Sequence, residues 1–241
     1  MTAGLRSGMF RFTYPKSDKA FIMIDMNHTL WQNCEWSNLR MENDSTLTGY
    51  KLVKGWGPER HVYFTAVFSK KLKNLRIMQD KKPVIYNTSR FRSCYEAWGK
   101  NLMACISFAA EEEVIVKTSV SAVSTAGAML NLQELNGMTF DALREKGVGL
   151  WEKELSKYQI EAKPEVKEAF YTAAYRAALH PFVFQDADGQ FRGLDKNIEK
   201  AEGFTNYTVF SLWDTYRALH PWFNLVHQDV NADIANSMLA H

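Results

Sequence analysis

The sequence predicts a β-then-α chain, an antiparallel β-sandwich followed by about four helices, and three observations carry that prediction. Residues 8–128 repeat their apolar positions with a period near two, as in Phe10, Phe12 and Tyr14 and again in Val62, Phe64, Ala66 and Phe68. Such alternation buries one face of a strand. Turn signals punctuate these runs at Pro15-Lys16-Ser17-Asp18, Glu42-Asn43-Asp44-Ser45, Gly55-Trp56-Gly57-Pro58 and Asp80-Lys81-Lys82-Pro83. Many short strands with regular punctuation favour an antiparallel sandwich over a parallel sheet. After Gly127 the apolar spacing changes to three and four residues, the period of a helix.

The helical half divides as follows. A helix over residues 140–158 aligns Trp151, Leu155 and Tyr158. Pro164-Glu165 suits a first helical turn, where proline loses no hydrogen bond and the acid faces the positive end of the dipole. Val166, Ala169, Phe170, Ala173, Ala174 and Ala177 then share a face before Pro181 stops the helix. The next helix is expected from an N-cap at Thr205 or Asn206, carries Phe210, Trp213, Asp214 and Arg217, and stops at Pro221. A last one starts near Asp229 with Ile234 and Met238 inward. The expected organisation is therefore a sandwich over residues 1–128, a connecting segment with a helix over 129–163, and the start of a helical domain over 164–241. The last helix reaches His241 without a capping Gly or Pro, which suggests a piece of a longer protein. Each large apolar side chain left uncovered would forgo roughly 1.5 to 3 kcal/mol of burial.

Composition narrows the function. Of 241 residues, 46% are hydrophobic and 23% charged, enough apolar material for real cores. A formal net charge of +2 argues against a nucleic-acid partner, and the densest basic cluster, Lys70-Lys71-Leu72-Lys73, reads as a solvated turn. No apolar run approaches the roughly 18 residues of a membrane span, and residues 1–8 lack the apolar core of a signal peptide. Cys34, Cys94 and Cys105 are widely spaced and read as buried thiols. Asn27, Asn43, Asn87 and Asn206 each begin an Asn-x-Ser/Thr triplet, a pattern too short to decide anything.

Two segments carry chemistry. Residues 204–221, FTNYTVFSLWDTYRALHP, set Trp213 beside Asp214 with Phe210 and Tyr216 nearby. Aromatic faces with one carboxylate are what a sugar ring requires, because its CH groups stack on the indole while its hydroxyls donate to the acid. The competing reading pairs Asp214 with Arg217 or Arg176 between helices. Upstream, AAYRAALHP (residues 173–181) echoes the same helix ending and leads into a loop with Asp186, Asp188 and Asp195. Its Asp-x-Asp-Gly resembles the tail of a calcium loop, yet Phe184 stands where the first ligand belongs and no closing Glu follows. A turn in which Asp186 and Asp188 bond to backbone amides is the local expectation, with Gly189 and Gly193 allowing close approach. His180 and His220, each before a proline, are read as capping helix C-termini. Neither a catalytic triad nor a phosphate-binding glycine loop stands out.

Taken in order, RSGMFRFTYP (6–15), LTGYKLVKGW (47–56), RHVYFTAVFSK (60–70), YTAAYRAALHPFVFQDADGQFRGLD (171–195) and FTNYTVFSLWDTYRALHP (204–221) closely resemble glycoside hydrolase family 92, the calcium-dependent exo-α-mannosidases. The resemblance covers nearly the whole chain. It implies a β-sandwich packed on an (α/α)6 toroid, this chain holding the end of the sandwich and the toroid's first helices. It further implies inverting, calcium-dependent hydrolysis of terminal α-linked mannose from mannosides or N-glycans, and a secreted or periplasmic location. Carried over by motif, Trp213 and Asp214 hold the terminal mannose, and Asp186, Asp188 and Asp195 lie in the matching loop. An inverting site needs two carboxylates about 6.5 to 9.5 Å apart, and no convincing pair occurs here. The catalytic acid, the base and the calcium ligands are expected beyond His241, in the missing remainder of the polypeptide. The isolated segment is accordingly expected to be inactive and to associate through its uncovered helical face. Two further readings stay open: a related sandwich-plus-toroid enzyme, such as an α-glucosidase or disaccharide phosphorylase, and a non-catalytic carbohydrate-binding protein.

Overall fold

The computed structural model describes residues 1–15, 17, 19–55, 57–72, 74–84, 95–108 and 113–241. Lys16, Asp18, Trp56, Lys73, Asn87 and Cys94, singled out above, lie outside the described residues. The chain forms two compact units, Met1–Phe140 and Asp141–His241.

The first unit contains β1 (Thr2–Ala3), β2 (Ser7–Thr13), β3 (Phe21–Asp25), β4 (Asn33–Asn43), β5 (Thr46–Lys54), β6 (Arg60–Phe68), β7 (Asn74–Gln79), β8 (Lys82–Pro83), β9 (Glu96–Gly99), β10 (Leu102–Ser107) and β11 (Glu113–Ser121). They build a seven-stranded sheet ordered β1-β2-β11-β6-β5-β4-β9 and a four-stranded sheet ordered β3-β10-β7-β8. Every pairing is antiparallel. The inner faces of both sheets enclose one core, with Leu39, Leu47 and Val114 from the larger sheet and Ile77, Leu102 and Ile106 from the smaller. β10 shows the period most cleanly: Leu102, Ala104 and Ile106 are fully buried while the residues between them turn outward. The run at Val62, Phe64, Ala66 and Phe68 enters the core by degrees, from an exposed Val62 to a buried Phe68.

Turn chemistry sets the register. Between β4 and β5 the Asn43 side chain accepts from the Ser45 backbone N–H at 2.9 Å, an Asx turn. Between β7 and β8, Asp80 and Lys81 both take positive φ, the conformation a two-residue hairpin needs. Gly49 of β5 has a steric reason: a Cβ there would sit 2.3 Å from the Phe64 ring and 2.7 Å from the Asn38 carbonyl oxygen.

After β11 the chain enters α1 (Thr125–Leu132) and a 3-10 turn at Gln133–Leu135. Ser124 caps α1, its hydroxyl accepting from the Gly127 N–H at 3.0 Å. This helix lies on the outer face of the larger sheet, where Ser119 donates to the Ala128 carbonyl and Asn131 to the Val120 carbonyl. It straddles the boundary read from sequence, with residues 125–128 in the stretch read as sandwich and 129–132 in the connecting segment.

The second unit holds α2 (Phe140–Leu155, its first residue counted with the first unit), α3 (Pro164–Ala177), β12 (Phe182–Val183), β13 (Gln190–Arg192), β14 (Ile198–Lys200), β15 (Tyr207–Thr208), α4 (Leu212–Thr215), α5 (Leu219–Val226) and α6 (Gln228–Ala240). Pro164 and Glu165 occupy the first turn of α3 as the sequence suggests. Its apolar face, however, has no buried residue. The helix expected over residues 204–221 is not continuous. Tyr207 and Thr208 instead pair with Val183 and Phe182, so strand pairing overrides helical periodicity there. Only Leu212–Thr215 is helical before the next helix begins at Leu219. Pro221 therefore opens a helix rather than stopping one, its absent N–H falling in a first turn that needs none.

Candidate functional site

Within residues 204–221, Ser211 organises the Trp213–Asp214 turn. Its carbonyl accepts from the Asp214 N–H at 2.9 Å, and its hydroxyl donates to the Asp214 carboxylate, which orients that carboxylate on the short turn α4. Beside it Trp213 is 86% exposed. Arg217 does not answer Asp214. Its Nε donates to the Tyr216 hydroxyl at 2.6 Å, and its guanidinium lies over that ring. The outcome is an accessible indole adjoining an oriented carboxylate that can still accept from a ligand.

The segment leading into α4 is fastened by buried polar groups. Asn206 is fully buried, its Nδ2 donating to the Phe184 carbonyl at 2.9 Å and its backbone N–H to Gln185 Oε1 at 2.6 Å. From α6, Asp233 accepts from the Thr205 N–H at 3.1 Å and Ser237 from the Tyr207 N–H at 2.9 Å. Residues 205–207, which lead toward the Trp213–Asp214 turn, are thus tied to α6. Burial of Asn206 also removes it from the glycosylation triplets open to solvent.

The three loop carboxylates occupy different environments. Asp186 is buried, with its backbone N–H bonded to the Gln190 carbonyl at 2.8 Å. Asp188 accepts from the backbone N–H and the side chain of Gln190, each at 3.0 Å. Asp195 does the same with Asn197, at 2.9 and 2.6 Å. These last two are the Asx-type turns at opposite ends of the β13–β14 hairpin, separated by three strand residues, about 10 Å. Among the described residues no three or more His, Cys, Asp or Glu side chains are placed to hold a metal ion. Asp188 and Asp195 are each engaged by their own turn.

The histidines depart from the capping expectation. His180 lies beyond the end of α3 with its ring 5.3 Å from that of Phe182, and His220 lies in the first turn of α5, 3.4 Å from Asn231 Oδ1. A third, His227, which sequence reading passed over, is buried. Its Nε2 stands 3.0 Å from both the Tyr158 hydroxyl and Glu154 Oε1, and its Nδ1 3.4 Å from Lys157 Nζ. An ammonium only donates, so in the contact with Lys157 the accepting atom is Nδ1. The available signal was the three- and four-residue spacing of Glu154, Lys157 and Tyr158 at the end of α2, where the last two follow the helix.

Two tyrosines of this unit have raised pKa values. Burial pushes Tyr158 up, followed by the charge of Glu154; burial pushes Tyr207 up, followed by Asp233 and Asp229. Their folded values exceed the unfolded value of 10.0, so the stabilisation is complete below pH 10 and is lost as pH rises through the folded values. Alkaline titration is expected to melt this unit together with the appearance of tyrosinate absorbance. Stability that stays flat well above pH 10 would contradict the assignment.

Comparison with known proteins joins the two units. Residues 1–121 match the glycosyl hydrolase family 92 N-terminal domain and residues 127–241 the glycosyl hydrolase family 92 catalytic domain. The chain belongs to glycosyl hydrolase family 92. No curated protein matches it. Among solved structures it is 81% identical to the family GH92 α-mannosidase BT3965 from Bacteroides thetaiotaomicron in complex with mannoimidazole, with a TM-score of 0.96 over 100% of this chain and 32% of that one. The GH92 glycosyl hydrolase ccman5 is 22% identical, with a TM-score of 0.84 over 99% of this chain and 32% of that one. The family GH92 inverting mannosidase BT2199 from Bacteroides thetaiotaomicron is 20% identical, with a TM-score of 0.79 over 96% of this chain and 31% of that one. These last two establish the shared fold. The chain thus spans about a third of the length of the family members it matches. The β-then-α architecture expected from periodicity is the architecture found. No described helix is long and apolar enough to cross a membrane.

Proposed function

We propose that the whole protein is a glycosidase that removes terminal α-linked mannose from mannosides or N-glycans, with this chain supplying part of the sugar-binding surface. The observation that supports this most is the 81% identity, over the entire chain, to an α-mannosidase solved with mannoimidazole. Trp213 and Asp214 are the residues assigned to the sugar. The indole offers a face for the CH groups of the ring, and the carboxylate, turned by Ser211, accepts from its hydroxyls. Asp186, Asp188 and Asp195 belong to the same proposal as the carboxylates of the neighbouring loop, which they shape through their turns. Residues 1–128 are read as the sandwich domain, 129–163 as its connector and 164–241 as the start of the catalytic (α/α)6 domain.

The acid, the base and the calcium ligands are assigned to the remainder of the polypeptide, and calcium-dependent inverting hydrolysis and a secreted or periplasmic location are part of the same proposal, supported by the family match. The test is mannose release from an aryl α-mannoside by the whole protein, with and without a chelator. Release abolished by chelation and restored by calcium is expected. Turnover indifferent to chelation would remove the calcium part of the reading, and no release of mannose from any α-mannoside would remove the whole.

A further inference from the structure

We infer that the outer face of the seven-stranded sheet carries a second carbohydrate-binding surface, a row of aromatic rings able to hold an oligosaccharide chain by stacking. The sheet register places Trp98 of β9, Asn38 of β4, Tyr50 of β5 and Tyr63 of β6 side by side across four neighbouring strands. All four alternate with Ala97 and Leu39 of the core, with Phe64 packed against it and with the buried Gly49, so they share the face turned away from the core. Three strand spacings give the row a length of roughly 14 Å. Ring centroids are 4.8 Å apart for Tyr50 and Tyr63, with planes inclined by 36°, and 6.5 Å apart for Tyr50 and Trp98, with planes inclined by 49°, so two partly buried tyrosines border the exposed Trp98 ring.

Two further observations point to a ligand rather than to stray hydrophobic surface. Trp98 is 53% exposed, yet its indole is not left to rotate: Nε1 donates to Glu96 Oε1 at 2.8 Å, fixing the ring along the sheet. Tyr50 is held likewise, its hydroxyl 3.0 Å from His61 Nδ1. An exposed aromatic ring pinned through its polar edge is preorganised to receive a flat apolar face. The polar groups bordering the row suit hydroxyls as well. Glu96 accepts from Asn38 Nδ2 at 3.1 Å, while Arg40 stands between Glu42 at 3.3 Å and Glu96 at 3.6 Å. One cation between two carboxylates repels polyanions and offers acceptors and a donor to a neutral sugar. The surface lies wholly within the first unit and uses none of the residues assigned above to the terminal mannose.

The choice of α-mannan as probe rests on the mannosidase reading; the surface itself does not. The experiment is affinity electrophoresis of the whole protein through gels containing α-mannan, and through parallel gels containing a β-glucan, for the parent, Trp98→Ala, Trp98→Phe and Tyr63→Ala. Retardation by polysaccharide is expected to weaken about tenfold in Trp98→Ala and to recover largely in Trp98→Phe, with aryl α-mannoside hydrolysis unchanged within about twofold. A protein that fails to cleave α-mannosides but is retarded in a Trp98-dependent way would retain this surface and remove the mannosidase reading. Equal retardation of all four proteins, absence of retardation by either polysaccharide, or a parallel loss of aryl α-mannoside hydrolysis in Trp98→Ala would overturn the inference.

Discussion

Asp214→Ala in the whole protein is expected to lower kcat/KM for a terminal α-mannoside by about two orders of magnitude, on the scale of a lost hydrogen bond to a charged group. The size follows from its setting. Ser211 already donates to one side of the carboxylate, so the group is oriented before a ligand arrives and loses little freedom on binding. Arg217 does not neutralise it, because that guanidinium is engaged with Tyr216. The Trp213→Ala change, which removes stacking and leaves the carboxylate, is expected to cost about tenfold. Steady-state kinetics on aryl α-mannosides separate the two. A fall in kcat as well as a rise in KM for Asp214→Ala would mean that the carboxylate contact tightens as the sugar distorts, whereas a change in KM alone would mean uniform binding. Folding does not confuse the result, since both side chains are exposed and thermal melting checks it directly.

The second large effect belongs to the sandwich. Leu39→Ala is expected to destabilise the first unit by about 3 kcal/mol. Leu39 is fully buried on β4, and its register partners on either side are Ala97 and Gly49, which have little or no side chain with which to close a gap. The Phe64 ring next in the row already fills the space over Gly49 and cannot move onto the vacated site without losing that fit. Leu39→Met, which nearly preserves volume, is expected to cost under about 1.5 kcal/mol. Urea denaturation reads both, and the midpoint should shift with an unchanged slope. A loss below about 1 kcal/mol for the alanine variant would mean that the two sheets close on each other more readily than this packing allows.

The strands were more legible in the sequence than the helices, for a physical reason. In β10 and β6 one face is buried by a partner sheet within the same unit, so alternation along the chain and burial coincide. In α3 the periodic face is present but no residue is buried, so periodicity identified the helix without identifying what it packs against. Residues 204–221 misled because an apolar segment of this length satisfies both periods, and the choice was made by distant residues. Phe182 and Val183 recruit Thr208 and Tyr207 into a ladder, and Ser237 holds it from α6. The aromatic row at Trp98, Tyr50 and Tyr63 was invisible for a related reason: its members come from three strands and meet only once the register is set. The Trp213–Asp214 pair was legible because adjacency in sequence already delivers an aromatic face and a carboxylate on a single turn.

One assay tests the central claim most directly: hydrolysis by the whole protein of matched aryl α-mannoside and aryl α-glucoside, with and without phosphate, for the parent and Asp214→Ala. The account predicts phosphate-independent release of mannose, little or no cleavage of the glucoside, and a loss of about two orders of magnitude in the variant. Equal cleavage of both glycosides, dependence on phosphate, or an Asp214→Ala enzyme as active as its parent would contradict it.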